Sequence, residues 1–180
     1  MEFFEHQYDI PSGISDRLEL VVRRISFVRK YTMSLLEDLE HDDWYWMPGA
    51  YPTHIAWQVG HIAMSHYGLT LFRQRGRNRE IDTTLMTNKF RKLFMKGTIP
   101  KAGVENNPPP EELLGSLERV FQQTMKELPG FEATLDEPVE APHAAYDTKF
   151  GSLLFVADHE MLHAGQIGML RRLMGKEPLR

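Results

Sequence analysis

The chain has no cysteine among its 180 residues. That removes disulfides, thiolate metal ligands and a cysteine nucleophile together, so any thiol chemistry would use sulfur brought by another molecule. Long hydrophobic runs are also missing. None approaches the roughly 20 residues that cross a bilayer, and the opening MEFFEHQYDI lacks the basic start and apolar middle of a secretory signal. A cytoplasmic location with no membrane partner is expected. Nor does one sign of charge dominate: 21 basic residues face 25 acidic ones, for a net charge of -4. With no basic block beyond RKLFMK, little draws the chain towards nucleic acid. No period-2 run is convincing enough to make a sheet, and there is no internal repeat or low-complexity tract.

What is present is helical periodicity. Hydrophobic residues make up 42 % and charged residues 26 %, the balance of an ordinary globular chain, and one domain spanning 1–180 is expected. From Ile14 to Leu39, Leu18, Val21, Val22, Ile25, Val28, Leu35 and Leu36 keep helical spacing, with Ser12 or Ser15 as the cap. After the turn-rich EHDDWYWMPGAYP, a second helix runs from its cap Thr53 to its stop at Gly76, with Arg73 and Arg75 suiting its C-terminal end. In the segment 77–110 only a short helix around Thr87 to Lys96 is expected, and KAGVENNPPP reads as a connection. A third long helix covers Glu111 to Leu128. The stretch FEATLDEPVEAPHAAYDTKF reads as a loop, and a last helix opens near Ser152 and closes at Gly175, with Pro178 beyond it. These elements predict an all-α four-helix bundle with a long connection between helices 2 and 3. Trp44, Tyr45 and Trp46 are expected to plug one end of it.

Eight histidines are the chemically informative residues. His159 and His163 stand four apart on the last helix, so both imidazoles lie on one face and can reach a single ion. Two imidazoles make a weak site, and a third ligand must come from elsewhere. His54 and His61 share a face of the second helix but lie about 10 Å apart along its axis, too far to share an ion. If the second and fourth helices run in the same direction, His61 meets His159 and His163 at one depth, while His54 lies near the bundle end. His66, rotated about 140° from His61, points elsewhere. His6, His41 and His143 fall at the terminus or in loops and are expected to be solvated.

The pair belongs to His-Glu-x-x-His, which in a zinc peptidase places the general base, here Glu160, between two ligands. The extension used by one peptidase branch needs Gly and His where this chain has Gln166 and Met169. The branch that uses a downstream Glu finds only Glu177, beyond the helix stop at Gly175. Such peptidases also hold substrate along a sheet edge, and no sheet is expected. The peptidase is therefore the least favoured reading.

Two stretches, DDWYWMPGAYPTHIAWQVGHIA and GSLLFVADHEMLHAGQIGMLRRLMGKEP, resemble the signature regions of the DinB/YfiT-like superfamily of four-helix metalloproteins. The resemblance implies a divalent ion, often zinc or nickel, bound by a His in the middle of the second helix and two His one turn apart on the fourth. Those positions fall on His61, His159 and His163. It also implies a small-molecule substrate, and for some members a low-molecular-weight thiol, handled by transferases, isomerases or hydrolases.

Three imidazoles leave at least one coordination position open, the arrangement of catalytic rather than structural sites. An ion so held lowers the pKa of bound water or binds a thiol as its thiolate. Glu160 is the candidate catalytic base, with a solvated charge as its alternative. Asp158 either orients an imidazole or lies on the outer face. Gln166 either binds a ligand or fixes a helix contact, and Trp57 and Met64 are expected as core wall around His61. The main expectation is a metal-dependent enzyme acting on a small molecule; the alternative is a non-catalytic, metal-stabilised stress or interaction module. The segment 77–110 carries either substrate specificity or a packing helix. An apolar bundle with 10 methionines is compatible with a homodimer.

Overall fold

A computed structural model describes residues 10–49 and 52–178; His6 and most of the opening stretch lie outside the described residues. Helix α1, Asp16–Ser34, starts at Ser15, whose hydroxyl accepts the Leu18 N–H at 3.4 Å. It ends earlier than its apolar pattern, which continues into a turn. Leu18, Val21, Val22, Ile25 and Val28 form one stripe on it, and none is more than 1 % exposed. Each contributes roughly 1.5–3 kcal/mol by leaving water.

Helix α2, Ile55–Tyr67, is capped by His54 rather than Thr53: the ring Nδ1 accepts the Trp57 N–H at 3.1 Å. A π-helical turn, Gly68–Phe72, and the short α3, Arg73–Arg75, carry it on to Gly76, whose φ of 75° ends the run as expected. Within the π turn the Thr70 hydroxyl donates to the His66 carbonyl at 2.8 Å, a competing bond of the kind that distorts helices.

Two short helices fill the segment after Gly76, where one was expected. Helix α4, Arg79–Leu85, is capped by Asn78, and α5, Asn88–Phe94, by Thr87. Helix α5 packs on α2, and α4 packs on α6, Pro110–Glu127. Phe90 and Phe94 are buried with ring centroids 4.7 Å apart. The expected loop before the last helix contains a two-stranded antiparallel sheet, β1 (Pro138–His143) and β2 (Tyr146–Thr148), with Thr148 capping α7, Lys149–Leu173. The hairpin escaped sequence reading for two reasons. Only Val139 of β1 is buried, so no alternation shows, and Pro138 and Pro142 argue against a strand.

The chain is thus mostly helical, with one small sheet among the described residues. Helix α2 packs against α6 and α7, and α1 against α7. Trp44 and Tyr45 are buried beside this core, whereas Trp46 is exposed. Gln58 meets Gln166, Leu69 meets Ser152, and Gln74 meets Lys149. The second and last helices therefore run antiparallel, not in the same direction as supposed. His61, His159 and His163 all sit near the middle of their helices, so reversing one helix leaves them at a common depth.

Candidate metal centre

The cap His54 and the α2 face bearing Trp57 and His61 are stitched to the end of α5 and the segment beyond it. The His54 Nε2–H donates to the Lys101 carbonyl at 3.1 Å, the Trp57 indole N–H to Thr98 Oγ1 at 3.1 Å, and the His61 Nδ1–H to the Phe94 carbonyl at 2.7 Å. A close approach makes the last bond possible. A Cβ on Gly60 would lie 2.5 Å from Phe94 ring carbons, so only glycine lets that ring lie on the helix backbone. Trp57 stacks flat on His61, with centroids 4.8 Å apart and planes 9° from parallel.

Opposite His61, α7 presents the other two imidazoles. Ring centroids are 4.7 Å apart for His61–His163, 5.3 Å for His61–His159 and 4.6 Å for His159–His163. One nitrogen of each lies within 4.8 Å of the others, the single such group of potential ligands among the described residues. Nitrogens bound at 2.0–2.1 Å to a tetrahedral ion are roughly 3.3 Å apart, so the rings would close by about 1.5 Å or less to share one.

The protonation pattern suits that use. Because a carbonyl only accepts, the 2.7 Å bond to Phe94 fixes the proton of neutral His61 on Nδ1; its Nε2 meets the Ser65 hydroxyl at 3.2 Å. Gln58 does the same for His163. Its Nε2 donates to Thr53 Oγ1 at 2.7 Å and to Gln166 Oε1 at 2.9 Å, leaving Oε1 to accept the His163 Nδ1–H at 2.5 Å. Both rings therefore carry their lone pair on Nε2, that of His61 shared with the Ser65 hydroxyl, and outer partners of this kind hold ligand imidazoles in place. Burial lowers the pKa of His61, and the Phe94 bond only partly opposes it. Burial, reinforced by neighbouring imidazoles, pushes His159 to about 4 and His163 to about 3. All three are neutral at pH 7, as metal ligation requires.

Glu160 is not the solvated charge offered as its alternative reading. Its carboxylate is buried and accepts from Arg29 Nε at 2.8 Å and Nη2 at 3.0 Å. The same Arg29 Nη2 donates to His66 Nδ1 at 3.0 Å, so His66 does point elsewhere, and burial beside that cation holds it neutral. With both carboxylate oxygens committed to Arg29, the peptidase reading loses its base. Asp158 lies on the outer face, paired with Arg24. His41 is exposed; so is His143, on β1, where it stacks on Tyr146.

A helical protein carrying a buried three-imidazole cluster of this type defines a class, that of potential metal centres built between helices. The sequence profile of the DinB superfamily matches residues 24–167, most of the chain, and the chain belongs to that superfamily. No curated protein matches it. Sequence reading missed Gln58, Gly60 and the Phe94 carbonyl. For Gln58 the available signal was its place one turn before His61, mirrored by Gln166 one turn after His163. For Gly60 it was a glycine inside a helix, which costs about 1 kcal/mol and usually has a packing reason.

Proposed function

We propose that this chain is a metal-dependent enzyme acting on a small molecule, with His61, His159 and His163 as the ligands of one divalent ion in a DinB-type four-helix bundle. The observation that carries the reading is the convergence of three neutral imidazoles, two with Nδ1 tied to an outer acceptor, which leaves Nε2 of His163 for an ion and Nε2 of His61 for an ion that would displace the Ser65 hydroxyl. An all-imidazole donor set suits zinc or nickel. A divalent ion there supplies Lewis-acid chemistry, activating water or binding a small thiol as thiolate. The protein's part is to hold the imidazoles and shield them. Trp57 and the buried side of α2 close one flank, while half-buried His159 marks the flank through which a molecule approaches. With no cysteine of its own, the chain suits a low-molecular-weight thiol as co-substrate.

The test is elemental analysis of purified protein beside His61→Ala and His163→Ala, followed by thiol titration of the cobalt-loaded form. One equivalent of metal in the parent, lost from both variants, and a thiol-dependent change in the cobalt spectrum are expected. Full metal retention in either variant removes the ligand assignment. A cobalt spectrum that no thiol and no exchangeable water alters favours the non-catalytic, metal-stabilised module instead.

A further inference from the structure

A cleft of about 340 Å³ lies beside the histidines, lined by Thr53, Trp57 and Gln58 at the start of α2, by Ile99 and Pro100 after α5, and by Gln166 on α7. It shares walls with the metal centre: Trp57 is the residue stacked on His61, and Gln58 the one bonded to His163. Gln58 precedes His61 by three residues and Gln166 follows His163 by three, so the cleft sits about 5 Å along the α2–α7 seam from the imidazoles. Its volume is in the range of small-molecule sites.

The lining contains no ionisable side chain, and most of its polar side chains are already engaged, the Thr98 hydroxyl with the Leu93 and Met95 carbonyls. Both ends of the Gln58 amide are used, and the Trp57 N–H is taken by Thr98. Gln166 has its oxygen engaged by Gln58, which leaves its NH₂ as donor; Thr53 Oγ1 also accepts from Gln58, which leaves its O–H as donor. Around these two donors stand Trp57, Pro100 and Ile99, the last 79 % exposed and held out from the loop. With no ionisable side chain in the lining, an ammonium or a carboxylate would lose water without gaining a countercharge. A neutral carbonyl with an apolar arm matches both halves of the lining.

We infer that this cleft seats an uncharged acyl group of the substrate, an amide or ester carbonyl accepting from Gln166 and Thr53 while its alkyl or aryl arm packs on Trp57, Ile99 and Pro100. The inference rests on the metal-dependent-enzyme reading and gives the segment after Gly76 its role, since that segment supplies the specificity wall.

Ligand-observed NMR with N-butylacetamide, butylammonium and butanoate tests it, on the parent, Gln166→Glu and Ile99→Asp proteins. Gln166→Glu keeps an oxygen for Gln58 and replaces the cleft donor by an acceptor. Ile99→Asp alters an exposed loop residue. Saturable binding of the amide, tighter than either charged probe and weakened about tenfold by each variant, is expected, together with broadening of the amide resonances by the cobalt-loaded protein. No saturable binding, preference for a charged probe, or unchanged binding in both variants would overturn the assignment. Amide binding without cobalt broadening would detach the cleft from the metal centre and overturn it as a substrate subsite. Failure of the parent to take up metal is read separately, and counts against the enzyme reading alone.

Discussion

Gly60→Ala is a small change for which the structure predicts a large loss at the candidate metal centre. The added methyl would lie 2.5 Å from Phe94 Cε1 and Cζ, whereas carbon atoms rest at about 3.5–4.0 Å. The Phe94 ring or the α2 backbone must retreat by roughly 1 Å to restore that separation. The ring is 1 % exposed and packed against Phe90, so it has little room to turn. Displacement therefore passes to the Phe94 main chain, whose carbonyl fixes His61 at 2.7 Å. Overpacking of this kind costs about 1–3 kcal/mol of stability, and loss of an outer partner lowers metal affinity about 10–100-fold. Zinc affinity by competition with a chromophoric chelator, measured beside the Tm, reads the two effects separately. Gly165→Ala is the control: it lies in α7, where an added methyl would meet nothing within 4 Å, so the better helix propensity of alanine should stabilise the protein by about 1 kcal/mol or less. Adding Phe94→Leu to Gly60→Ala shortens the clashing side chain and keeps the carbonyl, so affinity should partly return. If Gly60→Ala bound zinc like the parent, or if the double variant recovered nothing, the coupling of Gly60, Phe94 and His61 would be wrong.

Three further outcomes follow from the same geometry. Gln58→Leu removes the acceptor of the His163 Nδ1–H and should weaken zinc binding about 10–100-fold, while Gln58→Glu, which still accepts that proton, should stay near the parent in the same competition assay. Glu160→Gln leaves the buried Arg29 guanidinium without its countercharge and should cost about 3–5 kcal/mol in chemical denaturation; unaltered stability with abolished turnover would instead restore Glu160 as a catalytic base. The metal-free protein should lose stability as the pH falls from about 6.5, where unfolded histidine begins to bind protons, towards the values of about 4 and about 3 at which His159 and His163 protonate in the fold. Above about 6.5 both states are neutral at these positions and the contribution is flat. A Tm against pH curve that does not become shallower in this window in His163→Gln would show that His163 is not the proton-linked group.

Much of the site was legible because its histidines obey helix geometry. A spacing of four puts His159 and His163 on one face whatever surrounds them, and a third imidazole in mid-helix meets them whether the partner helix runs up or down. That same indifference explains why the three imidazoles come together although the supposed helix direction was wrong. What could not be read was supplied from far along the chain or by groups common to every residue. Arg29 neutralises Glu160 across 131 residues, so the local context of the His-Glu-x-x-His stretch gave no hint that its carboxylate was already committed. The outer partner of His61 is a main-chain carbonyl, which any residue at position 94 would present. Helix α4 was missed in a segment with little apolar periodicity, where capping by Asn78 and Thr87 separates two short helices that tertiary packing stabilises.

The central claim is that one ring nitrogen each of His61, His159 and His163 binds one ion and leaves a position open. X-ray absorption spectroscopy of the zinc-loaded protein tests it most directly. Three imidazole nitrogens at about 2.0–2.1 Å with at least one further light-atom ligand are expected, falling to two imidazoles or to no bound zinc in His61→Ala. A parent spectrum with fewer than three imidazoles, or one that His61→Ala leaves unchanged, would contradict the account.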